Sequence, residues 1–158
     1  MNILVIYDSI HGNTETIAKT IQKNLSTKFS TKLVKIDEFK LSDLDKIEVL
    51  VVGSPTHGGQ ATPQFQTFLK SLPAPSLKNL KFVAFDTGFL KKDHPFFLKV
   101  LISVIGYASP KISKFLIQNG AVQLIPPKTF YVKDKQGPLL KDQITSAKSW
   151  TKHILKSL

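Results

Sequence analysis

The chain has 158 residues, of which 42% are hydrophobic, and this length suits one domain spanning residues 1–158 that buries roughly 70% of its unfolded surface. It contains no cysteine, which excludes disulfides, thiolate metal sites and a cysteine nucleophile. The formal net charge is +11 and every basic residue is lysine; because sequence-specific readers of nucleic acid depend on arginine, this composition argues against that class.

Lysine is distributed unevenly along the chain. Residues 1–79 carry nine lysines against seven acidic residues, whereas residues 80–158 carry thirteen against four. Such an excess attracts nucleic acid, anionic membranes or acidic proteins. Two interpretations stay open: a solvated lysine coat that keeps the protein dissolved, or a docking surface for an acidic partner. The N-terminus lacks a basic leader before its apolar stretch, so we expect a cytoplasmic protein.

Short apolar runs alternate with stretches of helical periodicity along the whole chain. Thr62 and Pro63 are typical of an N-cap and a first helical position, and Ser109-Pro110 opens another helix that Gly120 stops. Five strands alternating with helices predict an α/β fold, a doubly wound five-stranded parallel sheet with helices on both faces. The predicted strands are 3–6, 31–36, 47–52, 82–85 and 121–125 with a resumption at 130–132; the first helix carries the apolar positions 17, 18, 21 and 25, and the last spans 142–157.

One apolar segment lies outside this alternation. Residues 96–105, FFLKVLISVI, are apolar at eight of ten positions but are far shorter than the ~20 residues that span a membrane. We therefore predict no transmembrane segment. The segment is interpreted as an inserted helix packed over the sheet or the ligand pocket, and the alternative is an exposed patch for a membrane face or partner, beside Lys91, Lys92 and Lys99.

Ligands of an open parallel sheet bind beyond the carboxyl ends of its strands, so three loops are candidates. The first, residues 8–14, leads from a buried strand into a helix. Backbone N–H groups at a helix start are unpaired and favour an anion. Gly12 permits a tight backbone path, and Ser9, Asn13 and Thr14 add polar side chains. The loop predicts a phosphate site with neutral donors, or a helix cap without a ligand.

Two further loops suggest what accompanies the phosphate. In GSPTHGGQATP, the polar residues Ser54-Pro55-Thr56 precede His57, which is poised to lie beside a flat ring, and Gly58-Gly59 allows close backbone approach. DTGFLKKDH offers Thr87 and Gly88 backbone and Phe89 as a second ring face. The three loops together predict a planar heterocycle on a phosphorylated tail.

Other proteins of this architecture are excluded by their local chemistry. A receiver domain needs an aspartate at the end of strand three, where this chain has residues 53–55, GSP. The dinucleotide motif GxGxxG and the nucleotide-hydrolase motif GxxxxGK[ST] are both missing. The GxSxG elbow of serine hydrolases is missing too.

The motifs resemble those of flavodoxins. SIHGNT is similar to their phosphate loop, VVGSPTHGG to the loop that touches the flavin ring after strand three, and AFDTG to the start of the other ring loop. FYVKDKQGPL resembles a small-flavodoxin tail, and strand five has no long insertion, so the chain looks like the short-chain type. The resemblance implies strand order 2-1-3-4-5 and bound flavin mononucleotide (FMN).

The resemblance also implies roles for particular residues. A peptide in the ring loop of relatives turns its carbonyl toward flavin N5 when one electron arrives, and Gly58-Gly59 suits that motion. Relatives often place Trp or Tyr against the ring, whereas this chain has His57, which either stacks or faces water; Tyr107 or Phe96 is an alternative cap. The implied FMN-binding residues are Ser9, Ile10, His11, Gly12, Asn13, Thr14, Pro55, Thr56, His57, Gly58, Gly59, Thr87, Gly88 and Phe89.

The resemblance implies a one-electron carrier. The lysine-rich surface predicts docking to an acidic redox protein, and this surface with segment 96–105 also suits a membrane-associated quinone system; we expect a monomer. The alternative is an FMN-dependent quinone or protoporphyrinogen-type oxidoreductase near a membrane, and a third hypothesis is a flavin-free interaction module. Electron-carrying flavodoxins are usually acidic, and their negative surface disfavours the fully reduced anion. A lysine-rich shell predicts a less negative second reduction potential.

Overall fold

The computed structural model describes residues 1–90 and 95–158, so Lys91 and Lys92, which the sequence places beside the apolar segment, lie outside the described residues. The elements alternate between strands and helices in the predicted order. They are β1 (Asn2–Tyr7), α1 (Asn13–Leu25), β2 (Ser30–Lys35), a 3₁₀ turn (Leu41–Leu44), β3 (Val49–Pro55), α2 (Pro63–Ser71), α3 (Ala74–Leu77), β4 (Lys81–Phe89), α4 (Phe96–Ile105), α5 (Ala108–Gln118), β5 (Val122–Gln123), β6 (Lys128–Val132) and α6 (Gln143–Ser157).

The strands form a parallel sheet in the order β2-β1-β3-β4-β5, which confirms the predicted topology. The fifth position of the sheet is occupied by two separate strand segments instead of one strand. Strand β5 pairs with β4 at Lys81–Phe82, and β6 pairs with β4 at Phe85–Phe89. Pro126-Pro127 lies between the two segments and supplies no N–H to a strand ladder. The sheet therefore has six strand segments in five positions.

Strands β3 and β4 run further toward the carboxyl edge than the sequence predicts. The parallel register continues from Gly53↔Phe85 to Pro55↔Thr87, and β6 pairs with β4 as far as Phe89. The prediction that 86–89 is loop is therefore wrong, because two neighbours hold this segment in the sheet. A Cβ at Gly53 would lie 2.1 Å from Cζ of Phe85, so only glycine fits beside that ring.

Helices cover both faces of the sheet, and each face has its own hydrophobic core. On one face, α2 and α5 pack on the sheet through residues such as Phe65, Leu69 and Leu116. On the other face, α1 and α6 pack through Ile17 and Ile154 among others. Each fully buried side chain of this size contributes about 1.5–3 kcal/mol. Burial on both faces explains the continuous apolar runs of the central strands.

Helix α2 begins as predicted. Thr62 is the N-cap, its Oγ1 accepts a hydrogen bond from the Phe65 N–H at 3.2 Å, and Pro63 is the first helical residue. The sequence did not predict the single turn α3, and α5 begins one residue before Ser109. The shift of α5 lies at an element end, where local hydrogen bonding and tertiary packing compete, whereas α3 is a short separate element that the sequence-based prediction missed.

The apolar segment 96–105 forms a helix, α4, exactly over the predicted residues. The longer stretch Phe96–Gln118 has 23 residues and is apolar enough to cross a membrane by length and composition alone, which is weak evidence. The chain interrupts that stretch at Gly106, whose φ is 74°, and at Tyr107. Helix α5 then buries Ile112 and Leu116 against the sheet.

Candidate functional site

The N-terminus of α1 is open toward a cavity at the carboxyl edge of the sheet. Gly12 is the N-cap with φ 83°, and as a glycine it has no side chain to cap the helix. Within the described residues, the backbone N–H groups of Asn13 and Thr14 have no protein acceptor. Unpaired N–H groups at the positive end of the helix dipole bind anions, so this end of α1 fits a phosphate.

Ser9 and Asp8 fix the path of the loop before α1. Ser9 Oγ accepts hydrogen bonds from the N–H groups of Gly12 at 3.1 Å and Glu15 at 3.2 Å. The buried Asp8 carboxylate accepts from the Ser9 N–H at 2.8 Å and from the hydroxyl of Thr62 at the start of α2. The serine hydroxyl hydrogen remains available to donate to a ligand oxygen, and the loop is held in place before any ligand arrives.

The glycine pair of the second loop lies at the tip of a tight hairpin. The His57 N–H donates to the Gln60 carbonyl at 2.8 Å, and the Gln60 N–H donates back at 3.1 Å. Gly58 and Gly59 have φ of 55° and 74°, so both central residues of the turn adopt the positive φ that a type I′ turn requires. The shape of the hairpin from His57 to Gln60 therefore depends on two glycines, which adopt positive φ without strain.

Lys111 fixes this hairpin against α4. Its ammonium donates to the Gly59 carbonyl at 2.7 Å and to the Ile105 carbonyl at 2.9 Å. A Cβ at Gly59 would lie 1.8 Å from Cγ2 of Ile105, whereas a Cβ at Gly58 would meet nothing within 4 Å. Gly59 is thus packed and Gly58 is free on its outer side. His57 lines the cavity with its side chain exposed.

The end of β4 joins the other loops through buried hydroxyls and a tyrosine. Thr14 Oγ1 and Thr87 Oγ1 are 2.7 Å apart, and both side chains are buried. The Tyr107 hydroxyl donates to the Phe89 carbonyl at 2.6 Å. A Cβ at Gly88 would lie 3.0 Å from the Tyr107 ring, so this ring lies directly over the strand end.

Asp86 is a buried carboxylate beneath the site. Its oxygens accept from the Thr56 hydroxyl at 2.5 Å, the Ala108 N–H at 2.8 Å and the Ser109 hydroxyl at 3.0 Å. Burial raises the pKa of Asp86, and the hydrogen bonds from Thr56 and Ser109 partly oppose that rise. The carboxyl group holds the hairpin loop and the start of α5 in one arrangement.

A hairpin after β6 closes the phosphate end of the cavity. Val132 and Leu139 form its closing bridge, and the side-chain amide of Asn13 donates to the Gln136 carbonyl at 3.0 Å. A Cβ at Gly137 would lie 2.6 Å from Oδ1 of Asn13, and Gly137 has φ 103°. The sequence identified the tail only by resemblance, and its contact with the first loop was not predicted.

These elements enclose one cavity of about 520 Å³, within the size range of pockets that bind organic cofactors. Thirteen of the fourteen predicted residues line it, and Gly12 contributes the backbone turn behind them. The sequence did not assign several lining residues, because their approach depends on tertiary packing: Leu98, Leu101, Ile102, Ile105, Gly106, Val132, Asp134 and Lys135. Tyr107, suggested as an alternative ring cap, lines the cavity, whereas Phe96 does not.

Comparisons with known proteins agree with this geometry. The family model described as Flavodoxin matches residues 5–126, and the chain therefore belongs to the flavodoxin family. The inducible nitric oxide synthase of Gallus gallus is 32% identical over 127 residues, which cover 78% of this chain and 10% of that protein. The sulfite reductase [NADPH] flavoprotein alpha-component of Shigella dysenteriae is 31% identical over 91 residues, covering 54% of this chain and 15% of that protein.

The solved structures support the same fold. The structure of a flavodoxin from the domain Archaea superposes with a TM-score of 0.77 at 19% identity, covering 99% of both chains. The chain thus matches the full length of this single-domain neighbour, while it spans only 10–15% of the curated relatives above. At this identity the superposition establishes the fold.

Flavodoxins bind FMN, and the residues of this cavity fit that cofactor. The phosphate fits the open N-terminus of α1, where the N–H groups of Asn13 and Thr14 and the Ser9 hydroxyl are available as donors. The loop itself contains no lysine. The ring fits between the glycine hairpin and the Tyr107 side of β4. The individual cofactor contacts of the fourteen residues stay a prediction.

Proposed function

We propose that this chain binds FMN in the cavity at the carboxyl edge of the sheet and carries electrons one at a time between redox partners. The observation that supports this most directly is the convergence of the uncapped start of α1, the Gly58-Gly59 turn and the end of β4 on one cavity. Bound FMN supplies the redox chemistry, and the protein adjusts its energy.

Different residues of the chain would bind the phosphate and the ring of FMN. The N–H groups of Asn13 and Thr14 and the hydroxyl of Ser9 hold the phosphate, while Asp8 keeps that loop in its binding shape. The hairpin from His57 to Gln60 would lie along the edge of the flavin ring. There the Gly58–Gly59 peptide can present either its N–H or its carbonyl to the ring. Apolar side chains of α4 exclude water from the ring.

A rotation of the Gly58–Gly59 peptide is compatible with the hairpin. Type I′ and type II′ turns share the same two-residue length, and they differ in the orientation of the central peptide. Both turns need positive φ at the first central residue, which Gly58 already has at 55°. The closing hydrogen bonds between His57 and Gln60 are retained in either turn.

As a redox carrier the chain requires partners, and we propose an acidic redox protein as the partner class. The excess of lysine in residues 80–158 supports electrostatic docking of that kind. A membrane-associated quinone system stays as the alternative partner. We further propose a monomer in the cytoplasm.

The test uses the purified protein. We expect a yellow protein whose flavin absorption bands disappear on cofactor extraction and return when FMN, but not riboflavin, is added at low micromolar concentration. A protein that neither carries nor takes up FMN would refute the proposal and would favour the flavin-free module.

A second measurement separates the carrier from an enzyme. A carrier shows no steady-state oxidation of a nicotinamide donor or a quinol by itself, whereas an FMN-dependent quinone or protoporphyrinogen-type oxidoreductase turns over alone. The comparisons do not favour the enzyme. Sustained turnover without a second protein would contradict the carrier assignment.

A further inference from the structure

Helix α4 is apolar at eight of its ten positions, with Lys99 and Ser103 together on one side, yet it has no buried residue. Phe96, Phe97 and Val104 are 82%, 71% and 79% exposed, and Val100 and Leu101 are about half exposed. A helix with so much apolar surface normally buries it against a protein core or a membrane. Among residues 1–90 and 95–158, no protein segment covers this exposed side of α4, which leaves it accessible to an apolar partner.

The two sides of α4 face different surroundings. Leu98, Ile102 and Ile105, at the spacing of one helical face, line the cofactor cavity. Phe97, Val100 and Val104 recur at the spacing of a second face and point to solvent. Whatever covers the outward face is therefore only one helix diameter, about 10 Å, from the ring end of the cavity.

The charges around α4 are positive. The helix contains no acidic residue and carries Lys99. Two further lysines lie on the cavity side of α4: Lys111 donates to the Gly59 and Ile105 carbonyls, and Lys135 lines the same cavity as Leu98. Asp134 also lines the cavity, so the local excess is of lysine over one carboxylate among these described residues.

We propose that α4 is a docking face for an anionic lipid bilayer, into which the outward stripe inserts while Lys99, three residues from Phe96 on the same helix, contacts the headgroups. Ten residues give a helix of about 15 Å, half the hydrocarbon thickness, so α4 lies in the interface plane and does not span. The chain bend at Gly106 and the burial of α5 in the core limit insertion to α4.

The composition of the patch favours a lipid surface over a protein partner. Protein interfaces concentrate Tyr, Trp and Arg at their energetic centre and are depleted of Lys. This chain has no arginine, and the patch combines phenylalanine and aliphatic side chains with lysine. Each lysine near an anionic leaflet is attracted to the headgroups independently of the others. Insertion of apolar side chains into a bilayer, unlike docking to a protein, needs no complementary surface shape.

The test is co-sedimentation of the whole chain with vesicles, in the presence and absence of FMN. We expect binding to vesicles of phosphatidylglycerol and phosphatidylcholine, several-fold weaker binding in 0.5 M KCl, and little binding to phosphatidylcholine alone. Phe96→Ser/Phe97→Ser should weaken binding by at least about tenfold for each phenylalanine inserted. Leu41→Ser is the matched control, since Leu41 is 57% exposed at the β2 side of the sheet, and it should leave binding unchanged.

A spectroscopic measurement locates the inserted residue. The tryptophan introduced by Phe97→Trp should be quenched by brominated lipid, while the native Trp150, which is 6% exposed in the core, should not. Absence of vesicle binding, equal binding to neutral vesicles, or undiminished binding of Phe96→Ser/Phe97→Ser would overturn the proposal. So would a dimer in solution that this double variant dissociates, since a second copy would then cover α4.

Vesicle binding and FMN binding are separable outcomes. Phe96, Phe97, Val100 and Val104 do not line the cavity, so Phe96→Ser/Phe97→Ser should retain FMN affinity. A yellow protein that ignores anionic vesicles would refute the lipid proposal alone. A colourless protein that binds them through α4 would refute the carrier proposal alone.

Discussion

At the scale of single residues, the proposed phosphate site consists of neutral groups that the protein holds in place before the ligand binds. Ser9 Oγ is the clearest example, because it accepts two backbone N–H groups and keeps its own hydrogen for a ligand. Neutral donors in a pre-formed loop avoid the cost of ordering a long cationic side chain on binding. The charge of this protein therefore lies outside the loop that binds the anion.

We predict that Ser9→Ala weakens FMN binding about tenfold, or about 1.4 kcal/mol, through loss of a hydrogen bond to a charged oxygen and loosening of the loop. Titration of apoprotein with FMN, followed by flavin fluorescence, measures the change. Ser26→Ala is the control, because Ser26 lies at the other end of α1 and its hydroxyl accepts from Gln22. Equal effects of both substitutions would contradict a specific role for Ser9.

Gly58 is the residue that the redox change should depend on. Its outer side is open, so Gly58→Ala should fold with a loss of about 1–2 kcal/mol for the positive φ. The first central position of a type II′ turn is accessible almost only to glycine, and alanine should disfavour that turn more than the type I′ turn. We expect the two reduction potentials of bound FMN to move closer together in a spectroscopic titration.

The control for this prediction is in the same hairpin. Gln60→Ala keeps the backbone hydrogen bonds with His57 and both glycines, so its two potentials should keep their native separation. A native separation in Gly58→Ala as well would show that the peptide does not turn during electron uptake.

At the scale of elements, Asp86 connects β4, the hairpin loop and α5. Because burial raises its folded-state pKa above the unfolded value, the folded protein binds the proton more tightly. The contribution of Asp86 to the free energy of unfolding is then fully present at pH below the unfolded pKa. It decreases as the pH rises through the folded pKa.

We predict that the stability difference between the native protein and Asp86→Asn is largest near pH 3.5 and becomes smaller toward pH 7. Taking the difference between the two free energies of unfolding cancels the contributions of the other titrating groups, because both proteins contain them. Urea unfolding at several pH values between 3.5 and 7 measures it. A difference that grows with pH would show instead that the Ala108 and Ser109 donors lower the pKa of this carboxyl.

The sequence predicted the elements better than their ends. Apolar runs buried on both faces identify central strands, which is why the parallel sheet was predicted correctly, whereas its strand order was implied by the resemblance to flavodoxins. The extension of β4 to Phe89 and the division of the fifth position depend on pairing partners distant in sequence, which periodicity does not contain. The three site loops were identified because glycine, hydroxyl and proline residues carry local signals.

The remainder of the site depends on tertiary approach. Lys135 and Asp134 reach the cavity because Asn13 bonds to Gln136, 123 positions away in the chain. Segment 96–105 was predicted as a helix from its composition, but its partial coverage of the cavity and its open outer face follow from the bend at Gly106. No short sequence pattern contains that information.

At the scale of the whole molecule, the net charge of +11 acts on the bound cofactor as well as on partners. Positive charge favours the fully reduced anion, with on the order of 1 kcal/mol for each charge within about 8 Å at intermediate dielectric constant. We therefore predict a less negative second reduction potential than an acidic flavodoxin shows in the same buffer, with a difference that shrinks as KCl screens the charges. An equally low potential would contradict this.

Charge-matched variants separate local from global effects on that potential. Lys135→Glu alters a residue that lines the cavity, and Lys23→Glu makes the same change in total charge on the last turn of α1. We expect the second potential to become more negative in both, and by a larger amount in Lys135→Glu. Equal shifts would indicate that only net charge matters.

The link between Asn13 and Gln136 has a consequence for biosynthesis. The loop proposed to bind the phosphate leaves the ribosome early, but Gln136, whose backbone carbonyl accepts the hydrogen bond from the Asn13 side chain, is translated more than a hundred codons later. A nascent chain halted before that point lacks the hairpin and helix α6, and α6 packs beside α1 in the same core. Loading of flavin should thus be a post-translational event, limited to chains that have been completed.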